Sequence, residues 1–193
     1  QYPNVEIMLR ECSNDAIQKA LLSGGIDLAI AAYPKAPPSI ELADYYTEHT
    51  VLCLVDSLLV QCQIDLDVRR NEIAAGDLHS LRDCPFVLGS AADIGGRIGR
   101  ELLRASGISP ISKATSENVE TLLALCVQGV GACFCPENLL QTALSPEQLA
   151  QLHILPLCPS ASYPICFGYL RRSYPWSVLS EFIRIAREQI RSA

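Results

Sequence analysis

Histidine is scarce in this 193-residue chain, with three copies, and aromatic residues make up only 6 % of it. His49, His79 and His153 fall in unrelated segments. No Ser-His-Asp or Cys-His order sets a base beside a nucleophile, so triad-type catalysis is not expected and the histidines read as surface or capping residues. Positive charge is also short: 15 Lys and Arg against 21 Asp and Glu leave a net charge of −6. An acidic chain does not displace counterions from phosphates, so direct nucleic-acid binding by these residues is not expected. No apolar run approaches the ~18 residues needed to span a bilayer. The glycines of "GSAADIGGRIG" (89–99) fit neither the phosphate-loop nor the dinucleotide spacing, and no cofactor is expected. Arg97 and Arg100 in that stretch read as a solvated helix face, with a reach toward a ligand as the second reading. The start, "QYPNVEIMLREC", has no initiator Met and no basic-plus-apolar signal pattern, and is expected to be cut from a longer protein.

Cysteine, in contrast, is abundant: nine copies, most of them inside apolar runs. Cys53 lies in "VLCLV", Cys133 and Cys135 in "ACFC", and Cys166 in "PICFGYL". Reduced cysteine is a small hydrophobe that suits such places, so a cytoplasmic, thiol-rich protein is expected rather than a disulfide framework. Cys133-x-Cys135 is a weak metal motif: no histidine lies nearby, and the two sulfurs are expected on opposite faces of a strand. No metal site is assigned.

Residues 116–137, "SENVETLLALCVQGVGACFCPE", compress three elements into one step. Val119, Leu122, Leu123, Cys126 and Val127 form one apolar helical stripe, with Ser116 as the expected N-cap. Gly129 suits the left-handed residue past the helix end. Ala132–Cys135 reads as a strand buried on both faces, as in a parallel sheet covered by helices. Pro136 then fits the first turn of the next helix.

The same alternation of strand and helix runs through the chain. Residues 5–10 alternate as a strand, Ser13 or Asn14 caps a helix burying Ile17, Ala20 and Leu21, Gly24-Gly25 ends it, and 26–32 is a strand. That is a βαβ unit with a right-handed crossover. After the loop "YPKAPPS", strands are expected at 40–45 and 51–55, followed by an ambiguous surface stretch at 57–76 and a short helix at Leu78–Leu81. The pattern restarts with a strand at 85–88, a polar turn, a helix over 94–105 and a strand at 111–115. Strands at 152–157 and 163–172 follow, then a helix over 176–191 burying Leu179, Phe182, Ile183, Ala186 and Ile190. The expected class is α/β with two lobes: 1–83 as the first part of lobe I, 84–162 as lobe II, and 163–193 returning to lobe I. Charge is uneven across them, with 13 acids against 6 bases in 1–83 and 2 against 5 in 163–193.

"YPNVEIMLRE", "ALLSGGIDLAI", "AGDLHSLRDCPFVL", "SENVETLLALCVQGVGACFCP" and "FIRIAREQI" occur in that order. In this order they resemble the effector-binding domain of LysR-type transcriptional regulators, over essentially the whole chain. The resemblance implies the type 2 periplasmic-binding-protein fold, two Rossmann-like lobes with an interlobe cleft. It implies a small-molecule effector, with an organic carboxylate as the first expectation, and pairing into a homodimer or tetramer. Promoter DNA is then met only through a helix-turn-helix preceding this domain, with no membrane association and no enzymatic activity. By position, the cleft residues are Cys12, Ser13 and Asn14, Ser90 and Ala91, and Thr115 and Ser116. The physics agrees: each turn follows a strand's carboxyl end and feeds a helix N-terminus that favours an anion. A solute-binding protein of a transport system shares the fold and is the alternative. A thiol-based redox sensor in the same family is another, resting on Cys12 beside a helix N-terminus; the cysteine pair of the peroxide-sensing members is not seen near 89–105.

Overall fold

The structure is a computed structural model that describes residues 2–33, 35–91, 93–171 and 176–191. Pro34 of the expected loop, Ala92 of the polar turn and Arg172 at the end of the expected last strand lie outside the described residues. The chain divides into two compact units, Gln1–Tyr45 with Cys166–Ala193, and Tyr46–Ile165. The sequence divides instead at 83/84 and 162/163.

In the first unit, α1 (Asn14–Leu22) precedes β1 (Ala29–Ala31). β1 pairs antiparallel with β7 (Ser162–Leu170), Ile30 opposite Phe167. Leu21, Ala29, Ala31, Tyr33, Ile40 and Cys166 form the core, with Ile17 and Ile26 packed on it. Tyr33 is wedged against Gly168, where a Cβ would meet its phenol ring. Burial, with the nearby Cys166, pushes the Tyr33 phenol up to about 12. The helix α8 (Ser177–Arg191) closes the unit, and Arg187 Nε donates to the Asp44 carbonyl at 2.8 Å. Of its expected apolar stripe only Ile183 is fully buried, and Ile190 is 40 % exposed.

The strand expected at 5–10 does not form. Val5, Ile7 and Leu9 alternate, but no neighbouring strand among the described residues supplies a ladder, and Val5 N–H donates to the Tyr2 carbonyl in a local turn. Leu9 is 88 % exposed. Tyr2, Val5 and Ile7 instead line an apolar groove of about 750 Å³ with Val178, Phe182 and Ile185 of α8. The first βαβ unit is therefore absent, and β1 finds its partner in β7. Alternation specifies which side chains share a face, but it does not supply a partner.

Both expected strands at 40–55 merge into one, β2 (Ile40–Val55), which begins in the first unit and ends in the second. The ambiguous 57–76 stretch is two helices, α2 (Asp56–Gln61) and α3 (Leu66–Ala74), the latter capped by Asp65. The second unit continues with β3 (Pro85–Gly89), α4 (Ile94–Ala105), β4 (Ile111–Ser116), α5 (Val119–Val127) and β5 (Cys133–Pro136). Two short helices, α6 (Leu140–Ala143) and α7 (Pro146–Leu149), then lead to β6 (Leu152–Pro156). β3 and β4 are parallel, while β2 is flanked antiparallel by β5 and β6.

β5 is buried on both faces as its sequence requires, but its ladder is mixed. It runs antiparallel to β2, and the preceding Ala132 bridges in parallel to Phe86. Phe134 faces α4 and stacks on Phe86 at 6.0 Å, while Cys133 and Cys135 join Leu122, Leu123 and Cys126 of α5 in the other core. Gly129 has φ +72° and ends α5 as expected. Gly131 has another reason: a Cβ there would lie 2.8 Å from the Phe86 carbonyl carbon.

Candidate functional site

Two of the expected turns meet in the second unit. In the parallel ladder Leu88 lies opposite Thr115 and Gly89 opposite Ser116, so Ser90 and Ala91 leave the sheet beside Thr115 and Ser116. Both are strand carboxyl ends, and each feeds a helix within a few residues: α4 after Asp93, α5 after Asn118. Ala91 and Thr115 are exposed, Ser90 and Ser116 half-buried. Two helix N-termini, each carrying partial positive charge, therefore open at one sheet edge.

Ser116 is not the N-cap of α5. Asn118 is, its side chain accepting from Thr121 N–H at 2.9 Å, while Ser116 Oγ accepts from Asn118 N–H at 3.1 Å. The serine supports the cap one step earlier: the two residue types cap about equally well, and because α5 begins at Val119 the cap position falls on 118. Asp93 caps α4 by accepting from Gly96 N–H. Arg100 is half-buried and donates to the Gly89 carbonyl at 2.7 Å, so it tethers the end of β3. Arg97 is exposed and lies 3.9 Å from Glu101, a solvated helix face.

In the first unit Cys12 is exposed and free, and Ser13 is the N-cap of α1 without a side-chain bond, its carbonyl accepting from Ile17 N–H at 2.9 Å. Asn14 opens α1; its side chain lies outside the described ones. With no strand at 5–10, this turn does not follow a paired strand end as the other two do.

Sequence reasoning passed over a polar cluster in the second unit. Glu48 is 3 % exposed and accepts from the N–H of His49, from the N–H and side-chain amide of Asn138, and from the Tyr46 hydroxyl, at 3.0–3.5 Å. Thr50 Oγ1, on the same strand, is buried with no hydrogen-bond partner among the described residues. Burial, with the charges of Glu48 and Asp93, pushes the Tyr163 phenol well up. Nothing in "IELADYYTEHT" marks Glu48 off from the exposed Glu41, so only the fold reveals it. The histidines take separate partners: His49 lies 2.8 Å from Ser162, His79 3.2 Å from Arg82, and His153 2.6 Å from Asp56.

The expectation for Cys133-x-Cys135 is overturned. Residues i and i+2 of a strand share a face, and the sulfurs of Cys53, Cys133 and Cys135, all buried, lie within 4.8 Å of one another. Hydrogen bonding with Cys126, then Cys135 and Cys53, together with burial, holds the Cys133 thiol well above its ordinary value. S–H bonds from Cys133 and Cys53 draw Cys135 the other way.

Among solved structures, the chain is similar to the C-terminal domain of a probable LysR family regulator from Rhodococcus sp. RHA1. The TM-score is 0.74 at 19 % identity, covering 96 % of this chain and 85 % of that one. It is also similar to the Synechocystis PCC6803 CcmR regulatory domain in complex with 2-PG (TM-score 0.74, 13 % identity, 97 % and 85 % covered). A third likeness is to the QuiR effector-binding domain in complex with shikimate (TM-score 0.66, 17 % identity, 92 % and 78 % covered). These place the chain in the type 2 periplasmic-binding-protein-like fold. No curated protein matches by sequence. The family model for the LysR substrate binding domain matches residues 1–191, which decides between the regulator and transport readings: the chain belongs to the LysR substrate-binding domain family.

Proposed function

We propose that this chain is the effector-sensing part of a LysR-type transcriptional regulator, and that its effector is a small organic carboxylate. The observation that carries the reading is the β3/β4 edge, where Ser90 and Thr115 leave adjacent parallel strands and the α4 and α5 N-termini open beside them. Hydroxyls beside helix N-termini suit a carboxylate, which would share the α4 end with the capping Asp93. On the resemblance alone, Ala91 and Ser116 complete the contacts at this edge. The proposed setting is a cytoplasmic homodimer or tetramer that meets promoter DNA through a helix-turn-helix ahead of this domain, without catalysis. No helix among the described residues is long and apolar enough to cross a membrane.

A thermal-shift screen of organic acids, with shikimate and 2-PG among the probes, tests the reading. A ligand at about a hundred times its dissociation constant stabilises the fold by roughly 2.7 kcal/mol, which raises Tm by around 5–11 °C for a domain of this size. A screen in which neutral amines and sugars shift Tm and every acid leaves it unchanged would refute the carboxylate assignment.

A further inference from the structure

The second unit holds a group of thiols that effector sensing does not use. β2 and β5 pair antiparallel with Cys53 directly opposite Cys133, and Cys135 lies two residues further along the same face. The three sulfurs lie within 4.8 Å of one another, Cys53 and Cys135 at 3.6 Å. α5 covers this face and brings a fourth thiol, Cys126, whose Sγ donates to the Cys53 carbonyl at 3.2 Å. All four are fully buried and belong to one core with Val51, Leu122 and Leu123.

Thiolates bound tetrahedrally to one ion at about 2.3 Å stand about 3.8 Å from each other. The Cys53–Cys135 spacing of 3.6 Å already matches that, and no pair among the three sulfurs exceeds 4.8 Å. The donor set is all sulfur, which selects soft ions and excludes the oxygen-seeking magnesium and calcium. All four thiols are closed off from solvent among leucines and a valine, as in a structural site rather than a catalytic one with an open position.

We propose that Cys53, Cys133 and Cys135 bind a thiophilic d10 cation, Zn(II) or Cu(I), with Cys126 available as a fourth ligand. Each ligating thiol releases its proton to solvent as the metal–sulfur bond forms, and no electron is transferred. Two strands and a helix are then pinned at one point in the second unit. None of the four cysteines belongs to β3 or β4, so the metal test does not depend on an effector being bound.

The test is metal retention. The reduced chain is unfolded under anaerobic conditions with a chelator, refolded with Zn(II) or Cu(I) separately, and passed over a desalting column against a competing chelator. Elemental analysis should then find one equivalent per chain of at least one ion. X-ray absorption should show a shell of sulfur alone at about 2.3 Å. Cys133→Ala and Cys135→Ala should lose that metal, whereas Cys12→Ala and Cys62→Ala should keep it. A competition between the two ions names the one preferred. Retention of neither ion, a shell containing nitrogen or oxygen, or undiminished binding by Cys133→Ala would overturn the proposal. If the core variants do not fold, the shell measured on the parent chain decides.

Discussion

Arg100 Nη2 donates to the carbonyl oxygen of Gly89 across 2.7 Å, tying the middle of α4 to the last residue of β3. The cation is half-buried and its acceptor ends a fully buried strand, so the bond holds the site edge rather than facing solvent. Arg100→Met should lower stability by about 1–3 kcal/mol, or roughly 2–4 °C in Tm for each kcal/mol. Thermal melts of the two chains check it, and equal melting points would show that the tether carries no weight.

Gly96 makes a tighter approach. A Cβ there would overlap the Ser90 carbonyl and lie 2.8 Å from the Gly89 carbonyl carbon, both backbone atoms that cannot step aside. Gly96→Ala should cost about 1–3 kcal/mol through forced displacement of the α4 N-terminus. Gly95→Ala should cost less, because its Cβ would meet only the Asp93 carboxylate, at 3.3 Å. Paired denaturant melts give both numbers, and a Gly95 variant harmed more than the Gly96 variant would contradict the packing described.

Thiol access separates the cysteines. Cys12 is exposed, Cys62 and Cys158 are half-buried, and the other six are buried. Cys12 should take up a mild alkylating reagent first. Mass-spectrometric mapping of early adducts reads the order, and labelling of Cys53, Cys126, Cys133 or Cys166 before Cys12 would be inconsistent with this core.

The second unit was largely legible in the sequence. The helix over 94–105 and the stripe from Val119 to Val127 form where periodicity puts them, because one apolar face against one sheet is enough to specify each. The strand at 5–10 was misjudged because its pairing depends on a partner elsewhere in the chain, and β1 pairs with β7 instead. Ser116 and Asn118 are both good caps two residues apart, and only the backbone path shows which one starts α5. The cysteine cluster was missed: the sequence reading set Cys133 and Cys135 on opposite faces, although residues i and i+2 of a strand share one, and Cys53 reaches them through a contact 80 residues distant in sequence.

Acid should loosen the start of the chain. Glu181 takes hydrogen bonds from Arg184 and then from the Tyr2 hydroxyl, the latter at 2.6 Å, and together they hold its carboxyl down at about 2. The folded value lies below the ordinary glutamate value of about 4.3, so the stability linked to this contact is fully present above about pH 4.3. It is lost as pH falls toward 2. A carboxyl titration by NMR should place the Glu181 midpoint near the low end, and Glu181→Gln should remove the dependence. A midpoint at the ordinary value would show the Tyr2–Glu181–Arg184 contact to be absent in solution.

The proposed place of the carboxylate is the β3/β4 edge. Its most direct measurement is amide NMR of the chain titrated with the best organic acid from the screen, alongside Thr115→Val. Saturable shifts should centre on residues 89–91 and 115–119, with a roughly ten- to hundred-fold weaker affinity in Thr115→Val from one lost bond to a charged ligand, worth about 1.5–3 kcal/mol. The unliganded melting point should hardly move, since Thr115 is exposed. Saturable binding that leaves those amides unperturbed, or unchanged affinity in Thr115→Val, would contradict it.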